Sequence, residues 1–477
     1  MIRTKDIVRA ISGKLVKGDK DITFSGIKTD SRKIEKGDLF WALKGERFDG
    51  HDFISSAINA GAYGAVIKGS YTNKILGSLK DAQDVVIISA QDTLRALGDL
   101  AGWWRNQHNV KVIGITGSTG KTSTKEMISH ILSIGKKVLK NPGNYNNLIG
   151  LPITLLSLDS SHDISVLEMG MNMPGEIRRL TEIADPDIGL ITNIGPAHLQ
   201  GVKDIHGVAR AKTELVEKIS SNATVFINGD NELLVKSASK YKKQIIRFGK
   251  NAKNDIKLER IVSYGIKGSI FRLSWEGRSL ELRINVPGIS SIMNALAASA
   301  ICLYLGEPEE NIRKGLLMYQ GVKGRFEIIV LENDNILIND TYNSNPLSLK
   351  ASMESIKDIK GKRGLIIGLG DMLELGDYSV HAHREAGRMA AGLNPELFIA
   401  MGSFSEEMIE GAREAGMSEH RLLISHDHEE MVYEIEKRLL KKGCIIFLKG
   451  SRAMALERVA EGIMNRLCVY EMENRGL

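Results

Sequence analysis

The 477-residue chain carries only three cysteines, Cys302, Cys444 and Cys468, and none falls in a C-x-x-C spacing. That scarcity excludes a disulfide framework and a zinc site, and the three are expected to be buried thiols. No apolar run approaches the ~18 residues of a membrane span, and with a mean hydropathy of −0.12 no transmembrane helix or membrane partner is expected. The N-terminal stretch MIRTKDIVRAISGK lacks the apolar segment of a signal peptide, so a cytoplasmic location is expected. Aromatic residues make up 5%, and the basic excess behind the net charge of +6 and pI near 8.9 is spread along the chain rather than clustered. This argues against a nucleic-acid partner and is compatible with an anionic small-molecule ligand. No internal repeat and no low-complexity tract is evident.

What is present is a soluble-type composition, 43% hydrophobic, in a chain long enough for about three domains. One stretch dictates chemistry: Lys111 to Lys125, KVIGITGSTGKTSTK. The apolar run Val112–Ile115 breaks at Thr116-Gly117 into a glycine-punctuated turn, and Lys121-Thr122-Ser123-Thr124 opens an amphipathic stretch to Leu132, which reads as strand, loop, helix. Gly117 and Gly120 let the amides of Gly117, Ser118, Thr119 and Gly120 converge on an oxyanion, and the helix aims its positive end at the same place. Lys121 would reach the β/γ-phosphates of ATP and the Thr122 hydroxyl the accompanying Mg²⁺, with Ser123 adjoining. The usual pattern G-x-x-x-x-G-K-[ST] would put its first glycine at 115, where Ile115 stands. The bland alternative is an ordinary strand-to-helix turn.

Residues 1–108 read as a small α/β unit, with strands at 38–43, 64–67 and 85–89 and helices at 51–62 and 92–108. From 109 to 323 strands and helices alternate as in a mostly parallel sheet covered on both faces. Two apolar strands end in polar residues: Ile164–Leu167 at Glu168, and Ile188–Ile194 before Gly195-Pro196-Ala197-His198. Ligands of open α/β sheets bind at the carboxyl ends of strands, so Glu168 and His198 are placed beside Lys121 and Thr122. There Glu168 is a natural Mg²⁺ ligand. Asn144, Asn146 and Asn147 belong to a turn-rich segment, NPGNYNNLIGLP, expected next to the site. Lys212, in the helical stretch 208–217, reads on its own as a solvated surface lysine. Hairpins around Gly265, Gly268 and Gly277 extend this sheet, a buried helix spans 292–305, and 321–326 reads as a linker. Residues 324–477 form a second doubly wound unit with strands at 328–331, 336–339, 365–369, 397–401 and 445–448. Its strand ends carry polar clusters at Asp340 to Pro346, Gly370 to Gly376 and Lys449 to Arg452, which suggests a second ligand face.

With these motifs in order, TDSR with GDLFWALKGERFDGHDF, TGSTGKTSTKE, GNYNNLIGLP, LEMGMNMPGEI, TNIGPAHL, ARAKTEL, GRFE, DTYNSNP, GDMLELG and LKGSRAM, the chain resembles the Mur ligases over essentially its whole length. These are ATP-dependent amide-forming enzymes of peptidoglycan precursor synthesis. GNYNNLIGLP, DTYNSNP and GDMLELG favour the type that adds D-alanyl-D-alanine to a UDP-muramoyl-tripeptide. The DNPR-type motif of the enzyme adding the third amino acid is not found.

The resemblance implies three domains: 1–108 for the UDP-sugar, 109–323 as a central P-loop-type ATPase, and 324–477 as a Rossmann-like unit for the dipeptide. It implies that Ser31, Arg32, Lys44, Gly45 and Asp49 face the UDP-muramoyl substrate, and that Glu168 and His198 are magnesium-associated. It also implies that Lys212 is carried as a carbamate, whose two hard oxygens could ligate Mg²⁺ where an ammonium cannot. Further carry-overs are Asn294 at the adenine side, Arg325 as a clamp from the linker, and Asp340 at the ribose, with Tyr342, Asn343 and Asn345 nearby. Asp371, Glu374, Lys449 and Ser451 are placed towards the dipeptide by strand-end position alone. Ser290-Ser291 replaces the histidine-asparagine the family usually shows before Asn294. The implied route is phosphoryl transfer from ATP to the tripeptide carboxylate, then attack by the dipeptide amine. Domain closure would exclude water, with Gly321–Gly324 as hinge and the chain acting as a monomer. The rivals are another amide ligase of this superfamily, including a folylpolyglutamate-type synthetase, and a nucleotide-regulated binding protein.

Overall fold

Apolar runs that lack alternation become strands buried on both faces, and they assemble into three large sheets, beside a two-stranded pairing of Ile2–Arg3 with Thr23–Phe24. The structure is a computed structural model and describes residues 1–80, 84–439 and 443–467. Cys468 and the end of the expected last domain lie outside them. In the first sheet the order is Lys14–Lys17, Val86–Ala90, Gly64–Lys68, Leu39–Trp41, Ile27–Lys28, antiparallel in the first pair and parallel thereafter. Phe40 and Trp41 point to opposite faces and enter separate cores. Trp41 is fully buried and its indole N–H donates to the Thr93 carbonyl at 2.7 Å, so its one polar atom carries no desolvation penalty. The helix Thr93–Asn106 that covers this sheet starts at Asp92, whose carboxylate accepts from the amides of Leu94 and Arg95.

The second sheet runs Arg278–Ile284, Gly268–Trp275, Ile256–Gly265, Gln244–Gly249, Thr224–Asn228, Ile188–Ile191, Lys111–Thr116, Ile164–Glu168, Val138–Lys140. From Ile256–Gly265 to Val138–Lys140 all neighbours are parallel, and the two remaining strands add antiparallel hairpins where the glycine turns predict them. The edge strand Arg278–Ile284 buries Leu280, Leu282 and Ile284 and exposes Arg278, Ser279, Glu281 and Arg283. The third sheet orders Glu327–Val330, Ile336–Asp340, Ile445–Lys449, Leu365–Gly370, Leu397–Met401, Leu422–Ser425, parallel except for its first pair. The short strand Leu422–Ser425 is not anticipated by the sequence reading. The α/β class with mostly parallel sheets is the expected one.

Between the second and third sheets one cluster of buried apolar side chains is continuous, from Leu167, Ile191 and Leu199 to Leu349, Met372 and Phe447. The linker bends through Gly321 (φ +94°) and Gly324 (φ +72°), with Val322 and Arg325 bridged across it. Cys302 and Cys444 are buried as expected, and burial pushes the Cys302 thiol far up. Among the described residues no helix is long and apolar enough to cross a membrane.

Candidate functional site

The strand Lys111–Thr116 sits between Ile188–Ile191 and Ile164–Glu168, so three strand ends converge where the phosphate loop begins. The loop is residues 117–120 and the helix Lys121–Leu132 follows. It is braced by the next strand's exit. The Ser118 amide donates to the Asn193 carbonyl (3.1 Å), the Thr119 amide to Asn193 Oδ1 (2.9 Å), and Asn193 Nδ2 to Thr119 Oγ1 (2.8 Å). Thr192 Oγ1 donates to the Thr119 carbonyl at 2.5 Å, and Ser118 Oγ donates to the Gly195 carbonyl at 2.9 Å. Gly120 has φ +80°, and a Cβ there would collide with the Asn294 carboxamide. Glycine is required on both counts.

A cavity of about 620 Å³ opens over this loop. Ser118 to Ser123, Asn144, Asn146, Glu168, His198 and Asn294 line one side, and Arg325, Asp340, Tyr342, Asn343, Asn345, Lys449 and Arg452 the other. The second ligand face expected at the third sheet is therefore not separate. Strands Ile336–Asp340 and Ile445–Lys449 are neighbours, so their ends close the same cavity. Strand Leu365–Gly370 lies one place further out, and its residues do not line it.

Glu168 is 2% exposed, and its Oε2 accepts from Thr122 Oγ1 (2.7 Å) while Oε1 accepts from Asn146 Nδ2 (2.8 Å). Lys121 Nζ donates to the Gly117 carbonyl (2.8 Å), which is how Gly117 enters the site without lining the cavity. Burial lowers the Lys121 pKa, Glu168 acts to raise it, and Arg325 lowers it further. Arg325 stacks over Tyr342 at 4.1 Å, Arg452 lies 5.8 Å from the same ring, and Arg325 Nε is buried with no hydrogen-bond partner among the described residues. The cavity thus gathers Lys121, Arg325, Lys449 and Arg452, a charge pattern suited to a polyanion.

Lys212 is not the surface lysine expected from its helix alone. It is 1% exposed, on the helix Ile205–Lys218. Burial, and then the Lys121 charge, hold its pKa well below the lysine range. Both effects favour the neutral amine, which is close enough to Lys121 to feel its charge although Lys212 does not line the cavity. His198 lines the cavity in a left-handed backbone (φ +56°), with Nδ1 2.6 Å from Glu374 Oε2. The hydrogen bond from His198 lowers the Glu374 pKa, against the opposing effect of burial.

Several expected residues are not brought to the cavity. Ser31, Arg32, Lys44, Gly45 and Asp49 belong to the first sheet's loops and do not line it. Arg32 is turned onto Asp30. The Asp49 carboxylate is occupied by the His51 amide, His51 Nδ1 and the Tyr71 hydroxyl. Desolvation raises its pKa, but the Tyr71 and His51 hydrogen bonds outweigh that and set it at about 2. Asn147 caps Gly150, with its Oδ1 2.8 Å from that amide. Asp371 accepts from the amides of Ser403 and Phe404, and Ser451 Oγ accepts from the Leu373 amide at 2.8 Å. Both residues hold loops, and neither lines the cavity. Asp340 does line the cavity, but its carboxylate is engaged by Lys449 Nζ (2.7 Å), Ser352 Oγ (2.7 Å) and the Phe326 amide (3.1 Å). Arg452, named in the last strand-end cluster, does line the cavity, whereas sequence reasoning missed Thr192 and Asn193, which follow the strand Ile188–Ile191.

Thr122 and Glu168 offer adjacent hard oxygens beside a phosphate loop, which fits Mg²⁺; the His198 nitrogen is a less natural direct ligand for so hard an ion. Among the described residues no group of three His, Cys, Asp or Glu side chains could hold a metal. A magnesium ion here would lean on phosphate oxygens.

Models of the Mur ligase family match three stretches: "Mur ligase family, catalytic domain" over residues 23–104, "Mur ligase middle domain" over 115–302, and "Mur ligase, glutamate ligase domain" over 324–452. The UDP-N-acetylmuramoyl-tripeptide--D-alanyl-D-alanine ligase of Bacillus subtilis is 34% identical over 96% of this chain and 98% of that protein. Crystal structure I of MurF from Acinetobacter baumannii superposes with a TM-score of 0.86 at 31% identity, covering 97% of this chain and 98% of that one. MurF of Thermotoga maritima, solved in complex with ADP, gives 0.81 at 27% identity over 94% of this chain and 99% of that one.

Proposed function

The chain belongs to the Mur ligase family, and from that membership we propose that it joins D-alanyl-D-alanine to UDP-N-acetylmuramoyl-tripeptide at the expense of ATP. The observation that carries this reading is the single cavity with the phosphate loop on one wall and the third sheet's strand ends on the other. Such a cavity can bring a phosphorylated carboxylate and an incoming amine together.

A carboxylate does not condense with an amine in water at neutral pH. In the proposed route a tripeptide carboxylate oxygen attacks the γ-phosphorus of ATP, ADP leaves, and an acyl phosphate results. The dipeptide amine then adds to its carbonyl carbon, loses a proton, and phosphate departs. Lys121 and the loop amides hold the phosphates, and Arg325, steadied on Tyr342, neutralises charge on the transferring group; the work is positioning and electrostatics. Asn193 keeps the loop in shape. Magnesium, held by Thr122 and Glu168, would screen charge between phosphate oxygens. Burial favours the neutral Lys212 amine that reaction with CO₂ requires, and its carbamate is the form we assign. Within this reading residues 1–108 take the UDP-sugar, 109–323 ATP and 324–477 the dipeptide, in a cytoplasmic monomer. Closure about the Gly321–Gly324 linker would press the third sheet's wall onto the phosphate loop and keep water from the acyl phosphate.

The test is phosphate release with ATP and Mg²⁺, adding the UDP-muramoyl-tripeptide and D-alanyl-D-alanine separately and together, with mass spectrometry of the product. Release that needs both, with a pentapeptide product, is expected. Release indifferent to the dipeptide would overturn the assignment.

A further inference from the structure

The loop Asp371 to Gly376, whose Asp371 and Glu374 strand-end position places towards the dipeptide, is tied to both the third and the second sheet. Its base is clamped to the third sheet: the Met372 amide donates to His383 Nε2 (2.8 Å), the Leu373 amide to Ser451 Oγ (2.8 Å), and the Ser451 amide to the Asp371 carbonyl (2.9 Å). His383 is itself fixed, fully buried, donating from Nδ1 to the Ser379 carbonyl (2.7 Å) and stacked on Phe404 with ring centres 4.5 Å apart. From this base Glu374 reaches across to the second sheet's cavity wall. Its carbonyl accepts from the Gln200 amide (3.0 Å) and its carboxylate meets His198 Nδ1 (2.6 Å). Both Glu374 (φ +65°) and His198 (φ +56°) adopt left-handed backbones that non-glycine residues avoid. Strain of that kind persists where surrounding structure imposes it, and it clusters at functional sites.

A carboxylate can only accept, so in the neutral ring the proton sits on Nδ1 and Nε2 is the acceptor. No hydrogen-bond partner of Nε2 is found among the described residues, and His198 lines the cavity. We infer that Glu374 is a positioning residue for His198: it fixes the ring's tautomer and orientation from the third sheet, and so makes the ATP-side wall depend on a loop of the dipeptide-side unit. The inference rests on the proposed ligase reaction for its kinetic consequence, but not for its structural one.

The structural arm uses ATP-free, ¹⁵N-histidine-labelled protein, with the His198 signals assigned by their loss in His198→Gln. The wild type is expected to show one tautomer, Nδ1–H. Glu374→Ala is expected to show a mixture, and Glu374→Gln to keep Nδ1–H, because a carboxamide oxygen still accepts. The Glu374 side chain is 53% exposed, so neither variant removes core packing. In the kinetic arm Glu374→Ala should lower kcat about 10- to 100-fold, the usual effect of deleting a group that orients a site histidine. The KM for D-alanyl-D-alanine should hold, and Glu374→Gln should recover most of the rate. A raised dipeptide KM at constant kcat, or a tautomer unmoved by Glu374→Ala, overturns the inference and returns Glu374 to substrate contact. An inactive wild type with the tautomer effect intact would instead overturn the ligase reading alone.

Discussion

Replacing Glu168 by glutamine separates the charge of this carboxylate from its shape. Glu168 accepts one hydrogen bond at each oxygen, from Thr122 and from Asn146. A glutamine can keep both: its oxygen accepts from Asn146, and its NH₂ donates to a Thr122 hydroxyl turned to accept. Two charge-assisted bonds become neutral ones, a loss of about 1 kcal/mol each. At about 2–4 °C per kcal/mol the melting temperature should fall by less than about 8 °C. Function should respond far more. The hard anionic oxygen offered to magnesium is gone, and removing one group that stabilises developing charge typically costs about 10²- to 10³-fold in kcat. A pH signature accompanies it. Burial and Arg325 lower the Lys121 pKa and Glu168 works against them. Without Glu168 that pKa falls further, so activity that needs the Lys121 ammonium disappears at a lower pH. The alkaline limb of kcat/KM for ATP, which reports the free enzyme, should therefore move acidward in Glu168→Gln. Phosphate release measured across pH, beside a thermal melt, decides the matter. A folded variant with near-wild-type kcat and an unmoved alkaline limb would refute the role given to Glu168.

Other outcomes follow from the same geometry. Gly120→Ala should weaken ATP binding and cost about 1–3 kcal/mol, because alanine is strained at φ +80° and its methyl meets Asn294; calorimetric titration with ATP and a melt read both, and unchanged ATP affinity would contradict the loop's assignment. Lys212→Ala should lose most activity and regain part of it on adding small carboxylates, whereas full activity without them would reject the carbamate. Asp49→Asn should lower stability at pH 7 by about 1 kcal/mol after solvent screening is allowed for. Asp49 has a folded pKa of about 2, below the unfolded ~3.9, so its contribution is full above pH 4 and fades as pH falls through 2. Denaturant melts at pH 7 and pH 3 should show the gap to wild type narrowing, and a constant gap would show that the ionised carboxylate is not the cause.

The phosphate loop is legible in sequence because its chemistry is local: strand, glycines, lysine and helix lie within fifteen consecutive residues. Its brace is not, since Thr119 and Asn193 meet only when two parallel strands pair. Lys212 misleads because a charged residue is ordinarily solvated. The clue was its spacing, four residues from both Val208 and Val216, which are buried on the same helix. Asp371 misleads for the opposite reason. A strand-end acid can serve a ligand or cap a neighbouring loop, and only the position of strand Leu365–Gly370, outside the pair that closes the cavity, decides for the cap. The partnership of His198 with Glu374 spans 176 positions and has no local signature.

The hairpin strand Arg278–Ile284 ends the nine-stranded sheet: among the described residues no further strand pairs with it, and Arg313 donates to its Glu281 carbonyl. Such an edge invites another chain to add itself and aggregate. Here the outward positions carry Arg278, Glu281 and Arg283, with Glu281 paired to Arg272 at 2.9 Å. An intruding strand would have to strip water from these charges before gaining its first hydrogen bond. The same alternation that seals the core on one face thus acts as a gatekeeper on the other, along a strand where a second chain could add itself.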